Sequence, residues 1–292
     1  MSTINVKMQT LADARELGHI NELLGRSLGR LSSGTRISSP ADDPAGVGSI
    51  AKLEAQSKRT QAAITNVQNA ASYVQSSTGF MASMNGILSR MSELTQYAAD
   101  GLKNAEDISL YQAEFQELQD QLRQTIGGTT AEIGGTTDLT KPLGSFNNLP
   151  LYGPNAAGLS IASGSHAGDV IKIPETNLRD GAMLQLFQQD SSGNYSLSVT
   201  SAGATQKITD AIGDLADERS MLGGVDSRLE LAAGSLAVEN QNLYSAVSRI
   251  QDTDVATEST RLTKLNILLE SGTAILTQAN QSPKSVLQLL QA

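Results

Sequence analysis

The chain has no cysteine among its 292 residues. Disulfides and thiolate metal sites are thereby excluded. Tryptophan is absent too, and aromatics make up only 3% of the chain although hydrophobic residues reach 39%. Any core is therefore built from Leu, Ile, Val, Ala and Met, which suit long helix-on-helix seams better than aromatic-lined ligand pockets. No apolar run approaches the ~18 residues of a membrane span, so membrane insertion is not expected. The opening stretch, Met1 to Ile20, alternates polar and apolar residues and lacks the continuous apolar segment of a cleaved secretory signal. If the chain leaves the cell, it uses a route that reads no such signal. Basic residues are scarce, 21 Lys and Arg against 30 Asp and Glu, for a net charge of -9. With no basic face to offset backbone phosphates, nucleic acid is excluded as a partner. The two histidines, His19 and His166, stand in no H-E-x-x-H arrangement, and neither a metal nor another cofactor is expected.

Helical periodicity dominates what is present. Leu17, Ile20, Leu24, Leu28 and Leu31 recur at steps of three and four and form one stripe. The helix they define stops at Gly34, which can take the left-handed conformation, and the following Arg36, Ile37 and Pro40 lead the chain away from it. In Asp42-Asp43-Pro44-Ala45-Gly46, Asp43 is the N-cap and Pro44 the first residue of the next helix. That helix keeps the 3,4 alternation through Ile50, Leu53, Ser57, Thr60, Ile64, Val67, Ala71, Val74, Thr78 and Met81. A three-residue step to Met84 then shifts the phase before Leu88, Met91, Leu94 and Ala98. From Pro44 to Gly101 it would run about 85 Å at 1.5 Å per residue. Tyr111, Phe115, Leu118, Leu122 and Ile126 mark a third helix, ended by Gly127-Gly128.

Gly, Ser, Thr, Asn and Pro then crowd the chain as far as Gly203, with short apolar runs at 170–173 and 195–199 around a turn at Ser191-Ser192-Gly193-Asn194. This reads as short antiparallel strands in a surface module. Periodicity returns from Ile208 to Ile250, with polar seam positions at Arg219, Asp226 and Asn240 that can fix register. After Asp252-Thr253-Asp254 a last amphipathic helix carries Leu262, Leu265, Leu269, Gly272 and Leu276, and the chain ends on Val286, Leu287 and Leu290. The expected fold is mainly α. It is an elongated rod of long antiparallel, coiled-coil-like helices from both chain ends, with a small β-rich insert at the tip. The expected divisions are a helix and hinge over 1–43, long helices over 44–126, an exposed insert over 127–206, a long helix over 207–251 and a final helix over 252–292. The terminal helices can pair with each other but have no further core, so they are expected to order only on assembly.

Arg30-Leu31-Ser32-Ser33-Gly34, Arg36-Ile37-Ser38 and Asp42-Asp43-Pro44-Ala45-Gly46 resemble the N-terminal region of the bacterial flagellins. Ile87-Leu88-Ser89-Arg90-Met91-Ser92-Glu93-Leu94 resembles the outer-core segment of the same family, and Ser248-Arg249-Ile250-Gln251-Asp252-Thr253-Asp254 and Gln278-Ala279-Asn280-Gln281 with Pro283 to Leu290 resemble its C-terminal region. The Asp42-Asp43-Pro44 sequence is also typical of the related hook–filament junction protein, whereas the C-terminal segment resembles flagellin. The resemblance implies a filament subunit whose inner core is 1–43 with 252–292 and whose outer core is 44–126 with 207–251. Implied partners are other copies of the chain, an export chaperone on the C-terminal helix, the filament cap and the hook-junction proteins. Also implied are export through the flagellar type III apparatus to an extracellular filament, and contact of Arg90, Leu94 and Glu114 with an animal innate receptor, beside their packing role. The competing class is a soluble binding module whose active part is the insert, displayed on a helical stalk.

Catalysis finds little support. The paired carboxylates Asp42-Asp43 and the Asp252-Thr253-Asp254 segment are accounted for by helix capping and the macrodipole. The glycine pairs at 127–128 and 134–135 lack the Lys-Ser/Thr of a phosphate loop. Asn194-Tyr195-Ser196 and Asn280-Gln281-Ser282 match the glycosylation acceptor pattern, which is common by chance.

Overall fold

The computed structural model describes residues 2–153, 158–164, 166 and 168–291, with side chains described for all of these except 2–10, 280 and 282–291. Helices α1 (Ser2–Ser33), α2 (Pro44–Ala98) and α3 (Ala105–Ile126) lead into the insert. There α4 (Thr130–Ile133) is followed by strands β1 (Ser145–Phe146), β2 (Leu149–Pro150), β3 (Leu159–Ala162) and β4 (Val170–Ile173), then α5 (Gly181–Phe187). Helices α6 (Ala204–Gln251) and α7 (Val255–Gln291) complete the chain. The fold is mainly α, with long helices from both chain ends. Two compact units result: a terminal unit of Met1–Lys58 with Gln241–Ala292, and a central unit of Arg59–Asn240.

In the terminal unit α1 packs on α7. Ile20 and Leu265 are buried there. The helices approach closely at Gly272, where a Cβ would stand 2.7 Å from Cδ2 of Leu17. No larger residue could occupy that point without moving Leu17.

In the central unit, the seam positions across the phase shift, Met81, Met84, Leu88, Met91 and Leu94, are all fully buried. Helix α6 runs antiparallel to α2 in one register. The hydroxyls of Thr95 and Thr205 lie 3.0 Å apart, and the Asn240 amide donates to Oε1 of Gln61 at 3.0 Å. Asn240 thus acts as the polar seam residue expected of it, in the manner that fixes coiled-coil register. Arg219 does not, because it is exposed. Its neighbour Leu222 continues the buried stripe, and the guanidinium remains in water.

Helix α3 begins with a capping box in which Oδ1 of Asn104 accepts the Asp107 N–H at 2.7 Å. It ends at Gly127, as the sequence predicts. Its inner face reaches into the insert. The Gln119 amide donates to the carbonyls of Leu186 at 2.6 Å and Leu197 at 3.1 Å. The Arg123 guanidinium donates to the carbonyls of Ile133, Gly134 and Phe187.

Two antiparallel hairpins form in the insert, β1 with β2 and β3 with β4. Asn147 and Asn148 make the first turn with positive φ angles of 48° and 64°, the geometry of a two-residue hairpin. Three expectations for this region are corrected. Residues 195–199 form no strand; the expected turn exists, closed by hydrogen bonds to the Asp190 carboxylate, but it is flanked only by a bridge between Gln189 and Tyr195. Helix α5 was not expected, and α6 starts at Ala204 rather than 207. The insert is also more than a surface module. Tyr152, Ile171, Ile173, Leu178, Met183, Leu186, Phe187, Leu197 and Val199 are buried in the same cluster as the α2, α3 and α6 seams. Loop polarity concealed this, because the buried residues are scattered singly between exposed ones.

Candidate assembly joint and interaction faces

The turn from α1 to α2 meets the break between α6 and α7 within the terminal unit. Gly34 takes a φ of +71°, a region that costs other residues 1 kcal/mol or more, and this turns the chain out of α1. The chain then lies along the break. Thr35 bridges Asp252 antiparallel, the Arg36 N–H donates to the Gln251 carbonyl at 2.6 Å, and the Thr253 N–H donates to the Gly34 carbonyl at 2.9 Å. The Arg36 guanidinium donates to the Ile250 carbonyl at 2.8 Å, supplying positive charge at the C-terminus of α6 where the helix dipole favours it. Ile37 is buried beneath the turn.

Carboxylates hold the remaining ends. Oδ2 of Asp42 accepts the backbone N–H groups of Ser38 at 3.3 Å and Ser39 at 3.1 Å, and its Oδ1 lies 3.8 Å from Nη2 of Arg30. The backbone bonds from Ser39 and Ser38, more than the arginine, hold its carboxyl below the ordinary 3.8. Oδ1 of Asp43 accepts the Gly46 N–H at 2.9 Å, capping α2 directly before Pro44. Asp254 caps α7 through the N–H groups of Ala256 at 2.9 Å and Thr257 at 3.2 Å, and these bonds, Thr257 first, depress its pKa as well. Asp43 and Asp254 thus cap helices, Asp42 closes the loop ahead of α2, and Asp252 accepts the Ser248 hydroxyl.

Of the stripe residues read from the sequence, Leu17, Ile20, Leu24, Leu31, Leu262, Leu265, Leu269 and Leu276 are buried or half-buried. Leu28 is not; it is 48% exposed. Ser27 occupies the inward position, since the step from Leu24 to Ser27 and on to Leu31 stays on one face while Leu28 lies 100° further round. The Ser27 hydroxyl donates to Oε1 of Glu258 at 2.5 Å, and both residues are buried. Sequence periodicity missed this pair because a serine and a glutamate do not register as a stripe. The side chains of Val286, Leu287 and Leu290 lie outside the described residues. On the outer sides of the same helices Leu11, Leu28, Val255, Ile267, Leu268 and Ile275 are exposed.

In the central unit Arg90 forks onto Glu114, Nε to Oε1 at 2.7 Å and Nη2 to Oε2 at 3.1 Å, while Nη1 reaches Glu93 at 2.9 Å. The arginine hydrogen bonds hold the Glu114 carboxyl below its ordinary value. Leu94, expected in the same contact patch, is fully buried. Of the three residues, only Arg90 and Glu114 present atoms to a partner. Among the described residues no group of three His, Cys, Asp or Glu could hold a metal ion, and no helix is long and apolar enough to cross a membrane.

Comparison with known proteins gives the family. The bacterial flagellin N-terminal helical region matches residues 4–132, and the bacterial flagellin C-terminal helical region matches 205–290. Similar proteins include flagellin FlaB2 of Treponema pallidum, 30% identical, and the flagellin of Bacillus subtilis, 31% identical; each alignment covers 98% of this chain and 99% of the relative. The flagellin of Listeria monocytogenes is 29% identical over the same shares. The chain belongs to the bacterial flagellin family and is a subunit of the flagellar filament.

Proposed function

We propose that the chain polymerises through the apolar sides that α1 and α7 leave uncovered, with the joint at Gly34, Arg36, Ile37, Asp42, Asp43, Pro44 and Gly46 holding those helices at a fixed setting. The observation that carries this reading is the exposure of Leu11, Leu28, Ile267, Leu268 and Ile275 beside a single buried stripe. Two paired helices can cover only one side of each other. Removing the remaining apolar surface from water, at about 25 cal/mol per Å², requires further copies. Because every copy contributes different faces to its neighbours, the contact propagates as an open helical array instead of closing.

Family membership supports the finer aspects of this reading. The chain is exported through the flagellar type III apparatus, escorted by a chaperone on α7, and added beneath a cap onto hook-junction proteins. The exposed Arg90–Glu114 fork is where an animal innate receptor would touch it. Burial of the insert in the central core counts against a binding module on a stalk, because the insert's apolar side chains are used in packing.

Sedimentation of purified protein with and without short filament seeds tests the proposal. Growth on seeds is expected, together with its loss in an Ile267→Ser/Ile275→Ser variant that retains the central fold. Normal growth of that variant would refute the role given to the outer sides of α7.

A further inference from the structure

Two exposed patches on the central unit take no part in the contacts described so far. The first is the turn between α2 and α3. Leu102 at its tip is 93% exposed and Leu110 on α3 is 69% exposed; beside them Tyr97 packs on Tyr111 with ring centroids 5.9 Å apart. Asp100, Glu106 and Asp107 surround these residues with one cation, Lys103. Glu106 precedes Leu110 by four residues and shares its face of the helix. The turn is built firmly: the Asp100 carboxylate accepts the Leu102 N–H at 3.0 Å, and the Asn104–Asp107 capping box follows.

The second patch is an open groove of about 630 Å³ between β4 and α6. Met221, 45% exposed, supplies apolar surface to it above the buried Ile173 and Val225, while Lys172 and Arg228 stand at its edge with Glu175. Among the described residues neither Lys172 nor Arg228 forms an ion pair. In a chain of net charge -9, two unpaired cations beside an apolar surface select an acidic, apolar-tipped partner.

The α2–α3 turn has that chemistry but cannot reach the groove of its own chain. The 3.0 Å approach of Thr95 to Thr205 sets the turn near the first turn of α6, whereas Met221 to Arg228 lie roughly 25 to 35 Å along that helix at 1.5 Å per residue. We propose that the α2–α3 turn of one copy seats in the α6–β4 groove of another. Leu102 and Leu110 lie on the exposed Met221, and Asp100 and Glu106 face Lys172 and Arg228. The contact joins two different patches on identical chains and therefore propagates without closing. It rests on the filament reading and assigns it a residue-level interface.

Seeded elongation of the full chain, followed by light scattering, tests the pairing. Leu102→Ser and the pair Lys172→Glu/Arg228→Glu should each slow elongation about tenfold, the first by removing an anchor and the second by reversing the rim charge. Thermal unfolding of the monomer should be unchanged, since these side chains are exposed. Adding Glu106→Lys to the Lys172→Glu/Arg228→Glu variant should restore at least half of the lost rate. Wild-type rates in the groove and turn variants would overturn the pairing and leave the groove to another occupant. A Glu106→Lys change that deepens the defect would overturn it as well. Failure of the unmodified chain to extend seeds would instead overturn the filament reading beneath it.

Discussion

Gly34 and Gly46 are both required at the α1–α2 turn, for different reasons. Gly34 has open space around it and is fixed by its backbone angle, whereas Gly46 is helical and fixed by crowding. A Cβ at Gly46 would stand 2.5 Å from Oδ2 of Asp43 and 2.8 Å from Cδ1 of Ile37. Gly→Ala inside a helix ordinarily stabilises by about 1 kcal/mol. Here the methyl must displace either the cap, worth about 1 kcal/mol, or the buried Ile37, so the sign reverses. Gly46→Ala should therefore speed amide exchange over Ala45 to Ile50, and slower exchange would show that the crowding is harmless. Glu218 on α6 carries a second residue-scale prediction. Its Oε2 is buried without a hydrogen-bond partner, and desolvation, then Asp214, Asp217 and Glu175, raise its pKa above 4.5. A carboxyl raised in the fold costs stability while ionised and ceases to do so as pH falls through the folded pKa. Glu218→Gln should thus raise the melting temperature at pH 7, by up to about 1 kcal/mol of stability, and the advantage should close on acidification. A constant advantage down to pH 3.5 would exclude ionisation as the cause. Asp42 and Asp254 have the opposite sign. Their depressed values add stability that is complete above the ordinary 3.8 and lost below it, so the joint should outlast mild acid.

Among the elements, the long helices were legible because each seam repeats one rule for many turns. Met81 to Leu94 keep one stripe across a phase shift, and these seam positions are all buried. The joint was legible in its punctuation, Gly34 and Asp43-Pro44, but its partners at Gln251 and Thr253 are more than two hundred residues away in sequence and leave no local signal. The insert was read least well. Helix α5 has seven residues, too few for a 3.6-residue period to stand out. In Tyr195 to Val199 the alternating Leu197 and Val199 are buried, as in a strand, but among the described residues there is no neighbouring strand to form the ladder. The burial of these segments alters what their removal should do. Loop-closure entropy alone would let a short linker replace residues 158–201 at little cost. The packing instead makes Phe187, which is fully buried, a core residue whose change to Ala costs about 3 to 5 kcal/mol. Phe187→Ala should lower the denaturant midpoint of the central unit accordingly, and the linker variant should bind a hydrophobic dye. A midpoint within experimental error of the unmodified protein would return the insert to the status of a surface module.

At the scale of the whole molecule, stability is unevenly divided between the two units. The continuous hydrophobic cluster runs from Ala63 to Leu236 and lies entirely in the central unit. Among the described residues the terminal unit buries only Ile20, Ile37, Ile50, Leu243 and Leu265 as large hydrophobics, each with 6 to 8% of its surface still exposed. Helices α1 and α7 therefore rest on one shared stripe and the joint, and regions with so few buried contacts open at low free energy. In the monomer, amides of α1 and α7 should exchange orders of magnitude faster than those of Ile64 to Val74. If neighbouring copies in the filament cover Leu28, Ile267 and Ile275, as proposed, the same amides should become protected. A chain trimmed to Arg59–Asn240 retains the whole cluster, so it should unfold cooperatively within a few degrees of the full chain while failing to extend seeds. Equal protection of α1, α7 and Ile64 to Val74 in the monomer would mean that the terminal pair is stable alone. Assembly would then have to draw its driving force from surfaces other than the outer sides of these helices.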